Sequence, residues 1–325
     1  MRKLPLSIAF SIAAFAALTS NALTVEKFHR SSAAACDVTL SYSAANANRA
    51  VLVAWGSSDA GASFTSWSNR NYAEGIASAG STSCRVALPP AALSAAYMRF
   101  FLVPDNQKLD YIESDGTQYI KTDFYPGASN TTISVDFYQN SSIVAQQRVC
   151  GTPTGCGLTV HIYINGSKGW SWSYSNNGNW TSSGTFPGVL VESVRTQIVL
   201  DGYNDKYTLT MGGTQKYTCK LSSDADAKKR SGTPNAPLYI FSQAPISDQR
   251  ANVKLYSLTC SRNGTPERDF EPYVKNGVVG LRDAVSGKFF TRGAGNVFVG
   301  APVSGTVASE TSAAVAIPAD RKSVV

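Results

Sequence analysis

The chain has almost no helical periodicity. Short runs in which apolar and polar residues alternate follow one another along most of its 325 residues, separated by clusters of Gly, Asn, Ser and Pro. A period of two places successive side chains on opposite faces of a strand, so these runs predict strands with one buried face. Apolar residues make up 43% of the sequence, which is enough to form hydrophobic cores. We therefore predict an all-β protein.

The N-terminus has the features of an export signal. Arg2 and Lys3 precede an apolar run over residues 4–18, and residues 20–22 supply the small side chains that signal peptidase requires. We expect residues 1–22 to be a signal peptide and the mature protein to be secreted or held at the cell envelope. No later run is long and apolar enough to predict a transmembrane segment.

The C-terminus differs in composition from the rest of the chain. Residues 301–325 are rich in Ala, Ser and Val without a strong pattern, which predicts a low-complexity tail. The last six residues, 320–325, match the translation of a common sequencing adapter. We expect the natural chain to be truncated here and to continue past Ala319.

The net charge gives little indication of a nucleic-acid partner. The formal charge is +7, and leaving out four basic residues and one acidic residue at the two ends reduces it to +4. The only tight basic cluster, residues 228–230, lies beside Asp224 and Asp226, which is typical of a solvated loop. We predict no binding to nucleic acid.

Six cysteines in an exported chain favour disulfides over a metal site. Alternation places two of them on the inner faces of strands in the same module, and two others bracket a turn-rich loop. The predicted pairs are Cys36–Cys84, Cys150–Cys156 and Cys219–Cys260, with free buried thiols as the alternative.

The strand pattern divides into two modules. Residues 23–105 contain four clear strands, and a small immunoglobulin-like or fibronectin-like sandwich is the default for such a module. Residues 106–300 contain about ten strands, with hairpin signals at 165–166, 204–205 and 212–213, and predict a jelly-roll sandwich.

The second module contains five distinctive motifs: LDYIESDGTQYIKT at 109–122, LYIF at 238–241, RDFEP at 268–272, NGVVGLRD at 276–283 and SGKFF at 286–290. With these motifs it resembles a family of secreted bacterial and phage surface proteins with laminin-G-like, concanavalin A-like jelly-roll domains. The first module, through VLVAWG at 51–56, resembles a partner found ahead of such domains. The resemblance implies recognition at the cell surface, often of glycans or other surface polymers, and implies no fixed set of binding residues.

An aromatic stretch is the candidate binding surface. Trp170, Trp172 and Tyr174 alternate with serines and so share one face of a strand, and Tyr163 and Trp180 could extend that surface. Aromatic rings suit the flat apolar face of a sugar. The alternative is that these rings belong to the core.

The length of the preceding loop separates the two alternatives. An odd loop, residues 165–169, pairs Ile164 with Trp170 and turns the tryptophans toward the core. An even loop, residues 165–168, pairs Ile164 with Gly169 and turns them outward.

Glu267, Asp269 and Glu271 are the candidate catalytic residues. Concanavalin-like glycoside hydrolases use a Glu-x-Asp-x-Glu strand, in which the outer carboxylates serve as nucleophile and acid/base. Pro272 is expected to end the strand directly after Glu271, which argues against catalysis. The alternative is a structural strand end.

A calcium ion is a further possibility for such a sandwich. Asp201, Asn204 and Asp205 lie in one loop and carry oxygen ligands of the kind that calcium prefers. The alternative is a hairpin turn, because Asn and Asp tolerate the left-handed conformation. No other cofactor is predicted.

Three functions remain open from the sequence. The favoured one is a secreted or cell-surface binding protein, not an enzyme, that recognises carbohydrate or another surface polymer. The alternatives are a glycoside hydrolase using Glu267 and Glu271, and a structural adhesin or spacer segment without a ligand pocket.

Overall fold

The computed structural model of the chain confirms an all-β protein. Among the described residues, helical structure is confined to two short 3₁₀ turns at Phe64–Ser66 and Pro90–Ser94. The predicted signal peptide, the basic cluster and residues 320–325 lie outside the described residues. The structure describes residues 23–30, 36–43, 48–77, 82–127, 130–140, 147–153, 158–164, 170–176, 179–185, 194–220, 235–245, 249–304, 306, 308 and 310–316.

The described strands are short and follow one another closely along the chain. The first twelve are β1 (Thr24–Arg30), β2 (Cys36–Ser41), β3 (Arg49–Gly56), β4 (Asn69–Ala77), β5 (Ser83–Ala87), β6 (Tyr97–Pro104), β7 (Gln107–Glu113), β8 (Ile120–Lys121), β9 (Thr131–Gln139), β10 (Gln147–Gly151), β11 (Leu158–Ile164) and β12 (Trp170–Asn176). They are followed by β13 (Asn179–Thr185), β14 (Arg195–Asp201), β15 (Lys206–Met211), β16 (Thr214–Lys220), β17 (Tyr239–Ile240), β18 (Val253–Arg262), β19 (Thr265–Lys275), β20 (Val278–Asp283), β21 (Phe289–Phe290), β22 (Val299–Pro302), β23 (Glu310–Thr311) and β24 (Val315–Ala316).

The chain divides into two compact units. The first contains the chain up to Gln107, the segment Val274–Val279 and the chain from Ala301 onward. The second contains Lys108–Tyr273 and Gly280–Gly300. The first unit is therefore discontinuous in sequence, whereas the sequence patterns predict consecutive segments with boundaries at 105/106 and 300/301.

The first unit is built on a sheet with the order β1-β2-β5-β4-β3-β6-β23, and β24 also pairs with β6. Its core is aliphatic and aromatic. Leu40, Val51, Val53 and Phe100 are fully buried, because alternate residues of their strands point to the same side.

Part of the predicted C-terminal tail belongs to this sheet. Glu310 pairs with Leu102, and Val315 pairs with Met98, so the segment lies antiparallel along β6. The sequence pattern misses it because the strands are two residues long and small residues separate them. A long-range pairing of this kind depends on the exposed edge of β6, which local periodicity does not reveal.

The second unit contains two antiparallel sheets. One has the order β13-β12-β11-β10-β17-β8. The other has the order β16-β15-β14-β9-β18-β7-β19-β20-β21, with β22 on β7. The hairpin signal at Gly212–Gly213 is confirmed, because both glycines have positive φ, 55° and 75°, between paired Met211 and Thr214.

The ten-stranded sheet of the second unit buries one face. Along β9 the burial alternates strictly, with Ile133, Val135 and Phe137 buried and the residues between them half-buried. Cys150, on β10 of the other sheet, is also buried. Burial, with a smaller effect of the Cys150 thiol, raises the pKa of Cys260 on β18. The core of this unit therefore contains residues of both sheets.

The predicted disulfides are not formed in the structure. Cys84, Cys150 and Cys260 carry free thiols. Cys156 and the side chains of Cys36 and Cys219 lie outside the described residues. The register also argues against the pair Cys36–Cys84. Leu40 is the residue opposite Cys84, so Cys36 lies four positions away along β2, which is about 13 Å and too far for a bridge.

Candidate functional site

The predicted aromatic stretch lies on β12, which lies between β11 and the edge strand β13 in the six-stranded sheet. The backbone register pairs Ile164 with Trp170 and Ile162 with Trp172, which is the pairing of the odd loop. Ile162 is fully buried, and directly paired residues lie on the same face of a sheet. The side chains of Trp170, Trp172, Tyr174, Tyr163 and Trp180 lie outside the described residues, and their role in binding stays a prediction.

A different aromatic surface lies on the outer face of the ten-stranded sheet. There the register forms a cross-strand row over β7, β18, β9 and β14. Lys254 is opposite both Glu113 and Tyr138, and Tyr138 is opposite Arg195. We call this surface the tyrosine platform and define it as Tyr111, Glu113, Asp136, Tyr138, Arg195, Lys254 and Tyr256.

Tyr256 belongs to this surface because it alternates with the buried Leu255, as Lys254 does. A β-bulge lies at this point, because the register of β18 against β9 shifts between Leu255 and Ser257 and leaves Tyr256 as an extra residue in the ladder. Ser257 then pairs with Asp136 on the outer face as well. The bulge shifts the alternation of the residues that follow it, so the rest of β18 still buries one face.

The rings and cations of the platform are in direct contact. The rings of Tyr111 and Tyr256 lie edge to face, with 5.7 Å between their centres. The guanidinium carbon of Arg195 lies 3.9 Å from the centre of the Tyr256 ring. The ammonium nitrogen of Lys254 lies 4.8 Å from the Tyr111 ring centre and 5.4 Å from that of Tyr138. Cation–π contacts therefore hold the three rings in place.

Carboxylates fix the cations of the platform. Arg195 donates to both oxygens of Asp136, from Nε at 2.9 Å to Oδ1 and from Nη2 at 2.7 Å to Oδ2. The hydrogen bond to Asp136 raises the pKa of Arg195. On the other side of the platform, Asn140 donates to Glu113 at 2.7 Å.

The partial burial of the platform changes its acid–base chemistry. Burial raises the pKa of Glu113, although the nearby Lys254 acts in the opposite direction. Burial would lower the pKa of Lys254, but Tyr111 and Glu113 raise it overall. Burial also raises the pKa of Tyr256. The platform places phenol hydroxyls, two basic side chains and carboxyl oxygens side by side.

The three candidate catalytic carboxylates lie on β19 and alternate with the buried Phe270. Glu267 is bound by Arg262, with 2.8 Å between Nε and Oε1 and 3.2 Å between Nη2 and Oε2. Glu271 is bound by Lys108 at 2.8 Å. The Asp269 backbone N–H donates to a carboxylate oxygen of a neighbouring turn at 2.8 Å. Both outer carboxylates are thus held in ion pairs, which does not favour the exchange of protons that a retaining glycosidase needs.

The expected end of this strand at Pro272 is wrong. β19 continues through Pro272 to Lys275, and Pro272 is buried within it. A proline removes one N–H donor from a strand but does not prevent the extended conformation. A strand therefore accepts proline at a position where the N–H of another residue would make no hydrogen bond within the sheet.

The candidate calcium loop is a hairpin turn between β14 and β15. Asp201 accepts hydrogen bonds from the Asn204 backbone N–H at 3.0 Å and from the Thr132 hydroxyl at 2.7 Å. Burial would raise the pKa of Asp201, but these hydrogen bonds lower it overall. Asp205 has φ 56°. No group of three or more His, Cys, Asp or Glu in the described part of the chain is arranged to hold a metal ion.

The chain is similar to several solved structures at low sequence identity. A candidate carbohydrate-binding protein from Bacteroides ovatus is 11% identical, with a TM-score of 0.42 over 84% of this chain and 93% of that one. The sialidase module CBM40 of Ruminococcus gnavus is 15% identical, with a TM-score of 0.32 over 46% of this chain and 89% of the module. The enzymatically active domain of tailspike protein 2 from bacteriophage CBA120 is 10% identical, with a TM-score of 0.37, and the match covers 50% of this chain and 25% of that one.

No protein-family model matches the sequence, and no curated protein matches it. None of the similar structures is close enough to assign a function to this chain. Within the described residues, no helix has the length and hydropathy needed to cross a membrane.

Proposed function

We propose that this protein binds carbohydrate through the tyrosine platform. The observation that carries the proposal is the cluster of three half-buried tyrosines with Lys254 and Arg195 on the solvent side of a sheet. The outer face of an antiparallel sheet needs only polar side chains to stay soluble. Aromatic rings on that face do not contribute to the core, and the binding of a ligand accounts for their presence there.

The chemistry of the platform suits a polyhydroxylated ligand. Tyrosine combines an apolar ring with a hydroxyl that both donates and accepts hydrogen bonds. Asp136 and Glu113 supply hydrogen-bond acceptors, and Lys254 and Arg195 supply donors. Neighbouring sugar hydroxyls can therefore be bound both as donors and as acceptors. The cation–π contacts fix the rings before the ligand arrives, which lowers the entropy lost on binding.

We also propose finer assignments for the two units and for their location. The strands of the first unit form one sheet, but its two halves, β1-β2-β5-β4 and β3-β6-β23, have the strand orders of the two sheets of an immunoglobulin constant-type fold, which supports an immunoglobulin-like first unit. The motifs of the second unit support a laminin-G-like domain. The N-terminal export pattern supports secretion and a place of action at the cell envelope.

Binding of the full chain to a panel of bacterial and plant polysaccharides tests the function. Tyr256→Ala and Tyr111→Ala each remove one ring of an interacting pair. We expect each to weaken binding at least about tenfold, the equivalent of about 1.4 kcal/mol. Tyr203→Ala is the matched control, because Tyr203 is 51% exposed on a hairpin turn away from the platform.

Two outcomes would contradict the proposal. Binding that survives both platform substitutions would place the site elsewhere, with the aromatic positions of β12 as the next candidates. An absence of binding to every polysaccharide in the panel would favour a structural role instead. Circular dichroism of each variant distinguishes a lost site from a lost fold.

A further inference from the structure

A second cluster of rings and charges lies on the ten-stranded sheet, away from the tyrosine platform. Tyr273 on β19 and Phe289 on β21 lie edge to face, with 6.4 Å between their ring centres. The guanidinium carbon of Arg282, on β20, lies 5.3 Å from the centre of the Tyr273 ring. Glu271 is paired with Arg282 at 3.7 Å and with Lys108 at 2.8 Å. We call these five residues the Tyr273 cluster.

The register shows that the Tyr273 cluster and the tyrosine platform share one face of the sheet. Val135 on β9 pairs with Leu258 on β18, and Leu258 pairs with Phe270 on β19. All three are fully buried, so they mark the inner face in one continuous row. Glu271 and Tyr273 alternate with the buried residues of β19 and therefore face outward, as the platform does.

The ring of Phe289 lies against the sheet itself. A β-carbon on Gly280 would be 2.9 Å from Phe289 Cζ and 3.1 Å from its Cε2. The absence of a side chain on Gly280 therefore leaves room for the ring beside the backbone of β20. Arg282 pairs directly with Phe289, so both side chains project from the same face. The ring is only half-buried and keeps a surface that a ligand can reach.

The two clusters have the same construction. Each consists of two rings in edge-to-face contact, an arginine over one ring, a carboxylate paired with that arginine, and a lysine beside a carboxylate. In the tyrosine platform the corresponding members are Tyr111 with Tyr256, Arg195, Asp136, and Lys254 beside Glu113. The two clusters therefore present the same chemistry to a ligand.

The clusters also follow one another along the sheet. The strand order is β14-β9-β18-β7-β19-β20-β21, with the platform on the first four strands and the rings of the Tyr273 cluster on the last three. Lys108 on β7 joins them through its ion pair with Glu271 on β19. Strands lie about 4.8 Å apart, so the seven strands extend roughly 29 Å across the sheet. A polymer that lies across the strands can contact both clusters, whereas a single sugar cannot.

We infer that the ligand of this face is one glycan chain that crosses the strands and occupies the Tyr273 cluster and the tyrosine platform together. The inference rests on the proposed function of the platform and adds the class of ligand to it, an internal stretch of a long polysaccharide and not a terminal sugar. Two linked contacts bind a long chain more tightly than either contact alone, because binding at one cluster raises the effective concentration of sugar at the other.

Soluble polysaccharides and their disaccharides test this inference with the full chain. The probes are β-glucan, xylan, mannan and galactan, each compared with the disaccharide of the same linkage at equal concentrations of sugar units. We expect at least one polymer to bind about 100-fold more tightly than its disaccharide. Tyr273→Ala and Phe289→Ala should each reduce this ratio at least about tenfold, as Tyr256→Ala should, because only one complete cluster remains. Calorimetry measures the affinities.

Phe289→Tyr is the matched control, because it keeps the ring and should bind the polymer as the native chain does. Urea denaturation shows whether each variant is folded. If Tyr256→Ala weakens binding of the polymer but Tyr273→Ala and Phe289→Ala do not, the inference is overturned and the proposed function of the platform stands. Equal affinity of the native chain for a polymer and its disaccharide has the same meaning. If no polymer binds, the proposed function and this inference fail together.

Discussion

The guanidinium of Arg195 lies over the ring of Tyr256, with 3.9 Å between its carbon and the centre of the ring. Arg195 also holds Asp136 in a two-point ion pair. A single arginine therefore joins an aromatic ring on β18 to a carboxylate on β9. Tyr256 faces outward because it alternates with the buried Leu255.

The first prediction concerns the acidity of Tyr256. Removal of the cation in Arg195→Gln should raise the pKa of Tyr256 further, because Arg195 stabilises the phenolate and so opposes the effect of burial. An NMR titration of ¹³C-labelled tyrosine measures it. Lys206→Gln, an exposed cation on β15, is the control and should leave the titration unchanged. An unchanged or lower pKa in Arg195→Gln would contradict the contact.

The second prediction concerns a tight turn of the first unit. A β-carbon on Gly277 would lie 1.9 Å from the Gly75 carbonyl oxygen, and Gly277 has φ 70°. We expect Gly277→Ala to lower the free energy of unfolding by about 3 kcal/mol or more, from the clash and the strained conformation together. Urea denaturation measures the change.

Gly61→Ala is the matched control for this substitution. Gly61 also has a positive φ, 97°, but nothing lies within 4 Å of its β-carbon position. Gly61→Ala should lower the free energy of unfolding by about 1 kcal/mol, from conformational strain alone. If Gly277→Ala and Gly61→Ala lower the free energy of unfolding equally, the close approach to the Gly75 carbonyl does not add to the cost of the substitution.

The third prediction concerns Asp283, which is fully buried at the end of β20. Its carboxylate accepts hydrogen bonds from the backbone N–H groups of Asp269 at 2.8 Å and Val285 at 3.1 Å. Asp283→Ala should lower the free energy of unfolding by about 3 kcal/mol, because these buried donors lose their acceptor. Asp115→Ala is the control. Asp115 is exposed in a turn, where water can replace it, and the loss should stay near 1 kcal/mol.

The fourth prediction is a dependence of stability on pH. The hydrogen bond from Arg99 lowers the pKa of Asp59 to about 2. A carboxyl whose pKa is lower in the folded state adds stability above its unfolded pKa, and that stability is lost as the pH falls through the folded value. The contribution of Asp59 should therefore be complete above about pH 4 and gone near pH 2.

Comparison of the native chain with Asp59→Asn isolates this contribution. The difference between their urea midpoints should shrink steadily from pH 5 to pH 2. A difference that stays constant over that range would show that the ion pair with Arg99 has no effect on stability. The ionic strength is kept constant, because salt screens an exposed pair.

Local patterns were sufficient for the class of fold and for many strands. The alternation in β9 and β14 and the glycines between β15 and β16 follow rules that involve only neighbouring residues. Asp115 and Asp283 each accept a hydrogen bond from the backbone N–H two residues further along the chain. Such features can be read from sequence because the interacting groups are a few residues apart.

The tyrosine platform could not be found in this way. Tyr111 and Tyr256 are 145 residues apart, and they meet only because β7 and β18 are neighbours in the sheet. The bulge at Tyr256 is equally hidden, since it depends on the register against β9. The alternation of Lys254 and Tyr256 was the one local signal available. It indicates that the two residues share a strand face, but it does not show which residues of other strands lie beside them.

The sequence by itself determined that this chain folds into antiparallel strands, because side-chain alternation and turn residues act over short distances. The tertiary structure decided which strands are neighbours, which faces meet solvent, and that residues 310–316 close the edge of β6. Those choices depend on pairings between residues that lie far apart in the chain. Their energy comes from joint burial and hydrogen bonding, which no single segment contains.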